Sequence, residues 1–173
     1  MKKEVLISIK GVYLDENNDR DVVELFTTGQ YYKKDGNYYI SYEESEATGF
    51  EGSRTTLKVE REDMVTLERT GEALAQLIVQ KGVRHQCRYD AGYGDMTIGV
   101  SGGMIRSTLD DSGGSLEFKY SLDIDTLFAS ENEMYILIAE SPSELPDGLV
   151  GRRSRAREKG KTHGQNRFGG LYS

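Results

Sequence analysis

Residues 64–94 read MVTLERTGEALAQLIVQKGVRHQCRYDAGYG, and the fold class turns on the middle of this stretch. Val65 and Leu67 alternate with Thr66 and Glu68 on one side of it. On the other side Val83, His85, Cys87 and Tyr89 alternate with Arg84, Gln86 and Arg88. Alternation of period two marks half-buried strands. Between them, GEALAQLIVQKG carries Ala, Leu and Gln, which favour a helix. The segment is short and has strands on both sides, so we read its LIVQ half as a strand. With that choice the chain contains no long helical pattern between strands, and parallel pairing, which needs long crossovers, is excluded.

Working outward, the same periodicity recurs. Val5, Ile7 and Ile9 share one face of KEVLISIKGVYL, and DENNDRD (Asp15 to Asp21) reads as a polar turn. Val23 and Leu25 continue the pattern, after which Phe26 is expected to shift the apolar side and Gly29 to mark a bulge or bend. Asp35-Gly36 is a strong hairpin signal joining this strand to NYYISYEES. RTTLKVE, GDMTIGVSGGMIRSTL and LEFKYSLDID follow. Gly102-Gly103 is expected to form a bulge, and Leu116, Phe118, Tyr120, Leu122 and Ile124 share one face. Ser130 to Glu133 is expected to turn into MYILIAE, apolar on both faces. Nine or ten strands at this spacing predict an all-β protein, a single antiparallel barrel whose closure removes the sheet edges.

Composition agrees. Of 173 residues 20 are Gly and 11 are Tyr, only two are Pro and none is Trp. A turn-rich β protein uses residues in this way. The charge is divided. Residues 1–150 carry 15 Lys and Arg against 28 Asp and Glu, and residues 151–173 carry seven against one. An acidic body repels nucleic acid, and only the basic end attracts it. The predicted organisation is a barrel over residues 1–140, a linker over 141–150 and a disordered Arg/Gly-rich tail over 151–173, too poor in aliphatics to offset its ordering entropy. With no apolar run near 18 residues and no signal peptide, and one cysteine, the expected location is the cytoplasm.

The run TTGQYY, YYISYEES, TTLKVE, LERTG, CRYDAGYGDM, IGV and LEFKYSLDI, in this order, resembles the YwiB-like family, a bacterial domain of unknown function (DUF 1934). The positions that carry the resemblance are Gly29, Tyr31, Tyr42, Glu44, Arg69, Gly71, Tyr89, Gly94 and Tyr120. It spans roughly residues 4–140, and implies a calycin-like, lipocalin-type barrel without supplying an activity.

One polar set falls in step with apolar residues: Tyr42, Glu44, Arg69, His85 and Tyr89. If their apolar neighbours face inward, so do they. Small barrels can hold one ligand, in sites that are mostly apolar with a few placed polar groups. This predicts a small-ligand-binding module for a polar or anionic ligand. The competing reading makes Arg69 and Glu44 a structural ion pair closing one barrel end. Cys87 and His85 lie two apart on a strand without a third member, so Cys87 is read as core rather than nucleophile. His85 and His163 have no zinc spacing, and DENNDRD lacks the Gly and closing Glu of a calcium loop. AGYGDM and VSGGMI lack a following helix to cradle phosphate. Neither cofactor nor metal is expected, and no catalytic motif appears. The alternative function is a non-catalytic structural or interaction protein whose tail, through Arg152, Arg153, Arg155 and Arg157, makes weak contact with RNA or meets a protein partner.

Overall fold

A computed structural model describes residues 2–61, 63–90 and 94–141. Ten strands run in chain order: β1 Lys3–Asp15, β2 Arg20–Lys34, β3 Asn37–Glu43, β4 Ser53–Glu60, β5 Met64–Gly71, β6 Leu74–Gln80, β7 Arg84–Asp90, β8 Met96–Ser107, β9 Gly114–Ile124 and β10 Leu127–Glu140. Each pairs antiparallel with the next, and β1 pairs with β10, giving a closed barrel. The described residues contain no helix, and LIVQ lies in β6, which starts earlier, at Leu74.

Alternation explains the core. The inward residues of β9 (Leu116, Phe118, Tyr120, Leu122) meet Val5, Ile7, Leu57, Val65, Leu77, Ile98 and Ile136 in one continuous cluster. The outward faces are mostly polar and charged, with cross-strand ion pairs such as Arg54–Glu43, Arg106–Glu117 and Lys119–Glu133, though Phe26 and Leu137 are exposed among them.

Three local expectations are corrected. Ser130 to Glu133 is not a turn but lies inside β10, and the turn is Asp125-Thr126, both with positive φ (54° and 66°). The polar letters misled because Ser130 and Asn132 point inward and are buried, where Asn132 Nδ2 donates to Ser130 Oγ at 3.1 Å. Gly29 is not a bulge, since β1–β2 pairing runs through it without a shift. Instead the backbones approach closely there: a Cβ would sit 2.4 Å from the Ser41 carbonyl oxygen and 2.6 Å from Ile7 Cδ1. Phe26 does not move the apolar side; it is half-exposed on the outer face while Val23 and Leu25 stay inward. Gly102 does stand at a register shift. Asp35 and Gly36 both take positive φ (55° and 82°), as a two-residue hairpin turn requires. Glu62, residues 91–93, most of the linker and the whole tail, including Arg152, Arg153, Arg155, Arg157 and His163, lie outside the described residues.

The strand directions sort the connections into two ends. One end holds the segment 44–52 and the turns at 72–73 and 125–126. The other holds the turns at 35–36, 81–82 and 108–113, together with Lys3 and Glu140.

Candidate functional site

Register builds the first end. Tyr42 pairs with Thr55, Thr55 with Arg69, Arg69 with Ala75, and Ala75 with Tyr89. One inward row therefore carries Tyr42, Thr55, Arg69 and Tyr89, and the small Ala75 side chain leaves width beside the long arginine. Arg69 Nη2 lies 3.3 Å from Glu44 Oε2, and both side chains are 0% exposed. Arg69 Nε donates to Thr55 Oγ1 at 3.0 Å. Thr55 in turn donates to Glu44 Oε2, and Thr48 Oγ1 donates to Glu44 Oε1 at 2.7 Å. The segment 44–52 then folds over the end, placing the Phe50 ring 3.9 Å from the guanidinium carbon. A guanidinium cannot be neutralised in a protein, so burial demands such partners, and here the chain supplies them.

This environment also governs the tyrosines. Burial, then the Glu44 charge, holds the Tyr42 hydroxyl well above its ordinary range. Burial likewise raises Tyr120, against the opposing effect of Arg69. The Tyr120 hydroxyl finds no hydrogen-bond partner among the described residues. Gly71, at this end, has φ 109°, and a Cβ there would lie 2.5 Å from the Gly52 carbonyl oxygen.

The sequence-predicted set thus divides. Tyr42, Glu44, Arg69 and Tyr89 gather at this end. His85 does not, because it stands four residues along β7 from Tyr89, roughly 13 Å at strand rise, and its Nε2 lies 2.8 Å from Gln80 Oε1. Cys87 is buried, its sulfur accepts the Ile78 amide at 3.3 Å, and burial pushes its thiol up. A protonated core thiol is the outcome expected of such surroundings. Among the described residues no group of three or more His, Cys, Asp or Glu side chains is placed to hold a metal ion.

The opposite end is built differently. A cleft of about 400 Å³ is lined by Lys3, Tyr31, Tyr32, Lys33, Tyr38 and Asp111. Pairing of Lys3 with Tyr31 brings the doublets Lys2-Lys3 and Lys33-Lys34 into one corner. The Tyr31 and Tyr38 rings stack with centroids 5.4 Å apart and planes 6° apart. Tyr31 donates to the Asp110 carbonyl at 2.8 Å and Tyr38 to Asp111 Oδ1 at 2.7 Å. The hydrogen bond to Asp111 pushes the Tyr38 hydroxyl up to about 12. Lys33 Nζ stands 5.3 Å from the Tyr38 ring centroid, and Lys3 Nζ 3.0 Å from Glu140 Oε2. Sequence reasoning did not select this cleft. Its signal was the pair of doublets in YYKK and NYY on either side of the Asp35-Gly36 turn, which puts alternate members of each doublet at the mouth.

The model of the family described as "Domain of unknown function (DUF1934)" matches residues 7–136. The chain belongs to this family. A curated relative, the "Uncharacterized beta-barrel protein YwiB" of Bacillus subtilis (strain 168), is 28% identical over 126 residues, covering 72% of this chain and 86% of the relative. The crystal structure of the ywiB protein from Bacillus subtilis superposes with a TM-score of 0.72 at 23% identity, over 82% of this chain and 94% of that one. The DUF1934 barrel is thus shown as a fold. Several positions that carried the resemblance have a physical reason here: Tyr42, Glu44, Arg69 and Gly71 close one end, and Tyr31 floors the cleft at the other.

Proposed function

We propose that this protein is a soluble, cytoplasmic small-ligand-binding module, and that its ligand enters at the Lys3–Tyr38 mouth rather than at Arg69. The observation that carries the reading is the mouth cleft, about 400 Å³ with aromatic walls and a few placed charges. Ligand sites have such volumes and such linings, and the mouths of β-barrels are among their usual places. The Arg69 group supports the reading indirectly. Its charges are met by Glu44, Thr55 and Phe50, so it serves as the closed end against which an open end can be kept. Outward faces laced with ion pairs favour water over lipid around the barrel.

Native mass spectrometry of the protein purified from its own host tests this. The expected result is a small non-covalent mass that survives gentle ionisation, is lost on denaturation, and is reduced by Tyr38→Ala. A bare-chain mass, together with a fragment screen in which no cleft residue shifts by NMR, overturns it.

A further inference from the structure

From the geometry of the mouth we infer that its ligand is a planar aromatic anion: a flat ring bearing a carboxylate, sulfonate or phosphate. The inference rests on the reading above that the cleft is a ligand site. Two features point to a ring. Tyr31 and Tyr38 stack on one another, with centroids 5.4 Å apart and planes 6° apart. Tyr31 is buried and fixed by its bond to the Asp110 carbonyl, and Tyr38 is fixed by its bond to Asp111. The Tyr38 ring, backed by buried Tyr31 and held in place in this way, rewards another flat ring by offset stacking, and gives a flexible aliphatic chain no comparable gain.

The charge points to an anion. On a body where acidic residues outnumber basic ones, Lys2, Lys3, Lys33 and Lys34 meet at one corner. Lys33 rests over Tyr38 and Lys2 over the Tyr32 ring, at 5.3 and 4.8 Å from the centroids. A cation over an aromatic face is held weakly at an exposed site. An entering ring therefore displaces Lys33 from the face of Tyr38, and the freed ammonium meets the anionic group the ring carries. Asp111 is already engaged by the Tyr38 hydroxyl and opposes an anion less than a free carboxylate would. Glu140 is paired with Lys3 and Asp111 with the Tyr38 hydroxyl, so the ammonium that ring entry releases is that of Lys33, and it favours an anion over a cation.

The test titrates the full-length protein with four probes by calorimetry, with NMR to locate the shifts: 2-naphthalenesulfonate, neutral 2-naphthol, hexanesulfonate and inorganic phosphate. The sulfonated ring is expected to bind with a Kd below about 1 mM and about tenfold tighter than the other three. The Lys3→Ala/Lys33→Ala variant removes that advantage over 2-naphthol, and 2-naphthol itself binds no more weakly, because the ring no longer has Lys33 to displace. Tyr38→Leu weakens both rings and not hexanesulfonate. Equal binding of naphthol and naphthalenesulfonate overturns the anionic part, and equal binding of hexanesulfonate overturns the ring. If no probe binds but a co-purified ligand perturbs cleft residues, the inference fails and the ligand-binding reading stands. If neither probe nor co-purified mass perturbs the cleft, both fail. Both lysines and the exposed edge of Tyr38 lie at the surface, and an unchanged melting temperature confirms that each variant is folded.

Discussion

The two ends of this barrel draw on the same chemistry and put it to opposite uses. One has an arginine, a carboxylate, three tyrosines and a phenylalanine; the other has lysines, carboxylates and three tyrosines. At the Arg69 end the arginine and the Glu44 carboxylate meet inside the protein, with both members of the ion pair fully buried. At the Lys3 end the pair to Glu140 is exposed on both sides (41% and 57%), and the tyrosines line an open cleft. Burial, not residue type, separates the two ends. A buried pair adds little net stability, yet losing one partner is costly. An exposed pair is worth little in either direction.

The largest expected effect falls on the sealed end. Arg69→Met leaves the Glu44 carboxylate buried without its cation, and is expected to cost about 3–5 kcal/mol in chemical denaturation. Glu44→Gln in the same chain should recover much of that loss, read as a double-mutant cycle. If Arg69→Met is neutral, the sealed end is not a structural closure. Next come two glycines with similar backbones and different surroundings. Gly71→Ala combines strain at φ 109° with a clash against the Gly52 carbonyl, and should cost about 3 kcal/mol. Gly36→Ala, at the open end, has φ 82° and nothing within 4 Å of the added carbon, so strain alone should cost about 1 kcal/mol. Equal costs at the two sites would show that the ends are packed alike.

Tyr120→Phe sharpens the contrast in the other direction. Its hydroxyl is buried among groups that do not receive it, so removal should stabilise the barrel by about 1 kcal/mol. Destabilisation instead would mean that the hydroxyl holds something at the sealed end. The smallest effect concerns Asp110 at the open end. The Ser112 amide and then the Ser112 hydroxyl hold its carboxyl below the usual carboxylate range. A depressed folded pKa contributes stability that is fully present above the unfolded pKa near 3.9 and is lost as pH falls through the folded value. The melting-temperature gap between wild type and Asp110→Asn should therefore be constant above about pH 5 and close as acid is added.

Much of this was readable in the sequence, and for a stated reason. Strand phase is a local property, so the faces of β1, β5, β7 and β9 followed from alternation, and Arg69 and Glu44 could be placed inward before any register was known. What alternation cannot give is height along the barrel. His85 shares its face with Tyr89 but stands at another level, and only the row from Tyr42 to Tyr89 shows which polar residues meet. Ser130 and Asn132 misled because polar letters read as a turn, whereas here they occupy inward positions near the end of the barrel. The lysine and tyrosine doublets at the mouth went unremarked because Lys3 and Tyr31 are far apart in the chain and meet only through β1–β2 pairing.

The pairing of β1 with β10 has a consequence for how the molecule is made. Lys3 and Glu140 are bonded across 137 positions of sequence, so β1, made before the other barrel strands, must wait for β10 before its second edge is satisfied. Hairpins from β2 to β9 can form as they emerge, since each joins neighbours. The final seam is non-local and slow to find, and until it closes two strand edges are open to pairing with another nascent chain. Synthesis rate and chaperone access would then govern yield through this one seam, and a circular permutant opened at the exposed 35–36 turn would move the delay elsewhere.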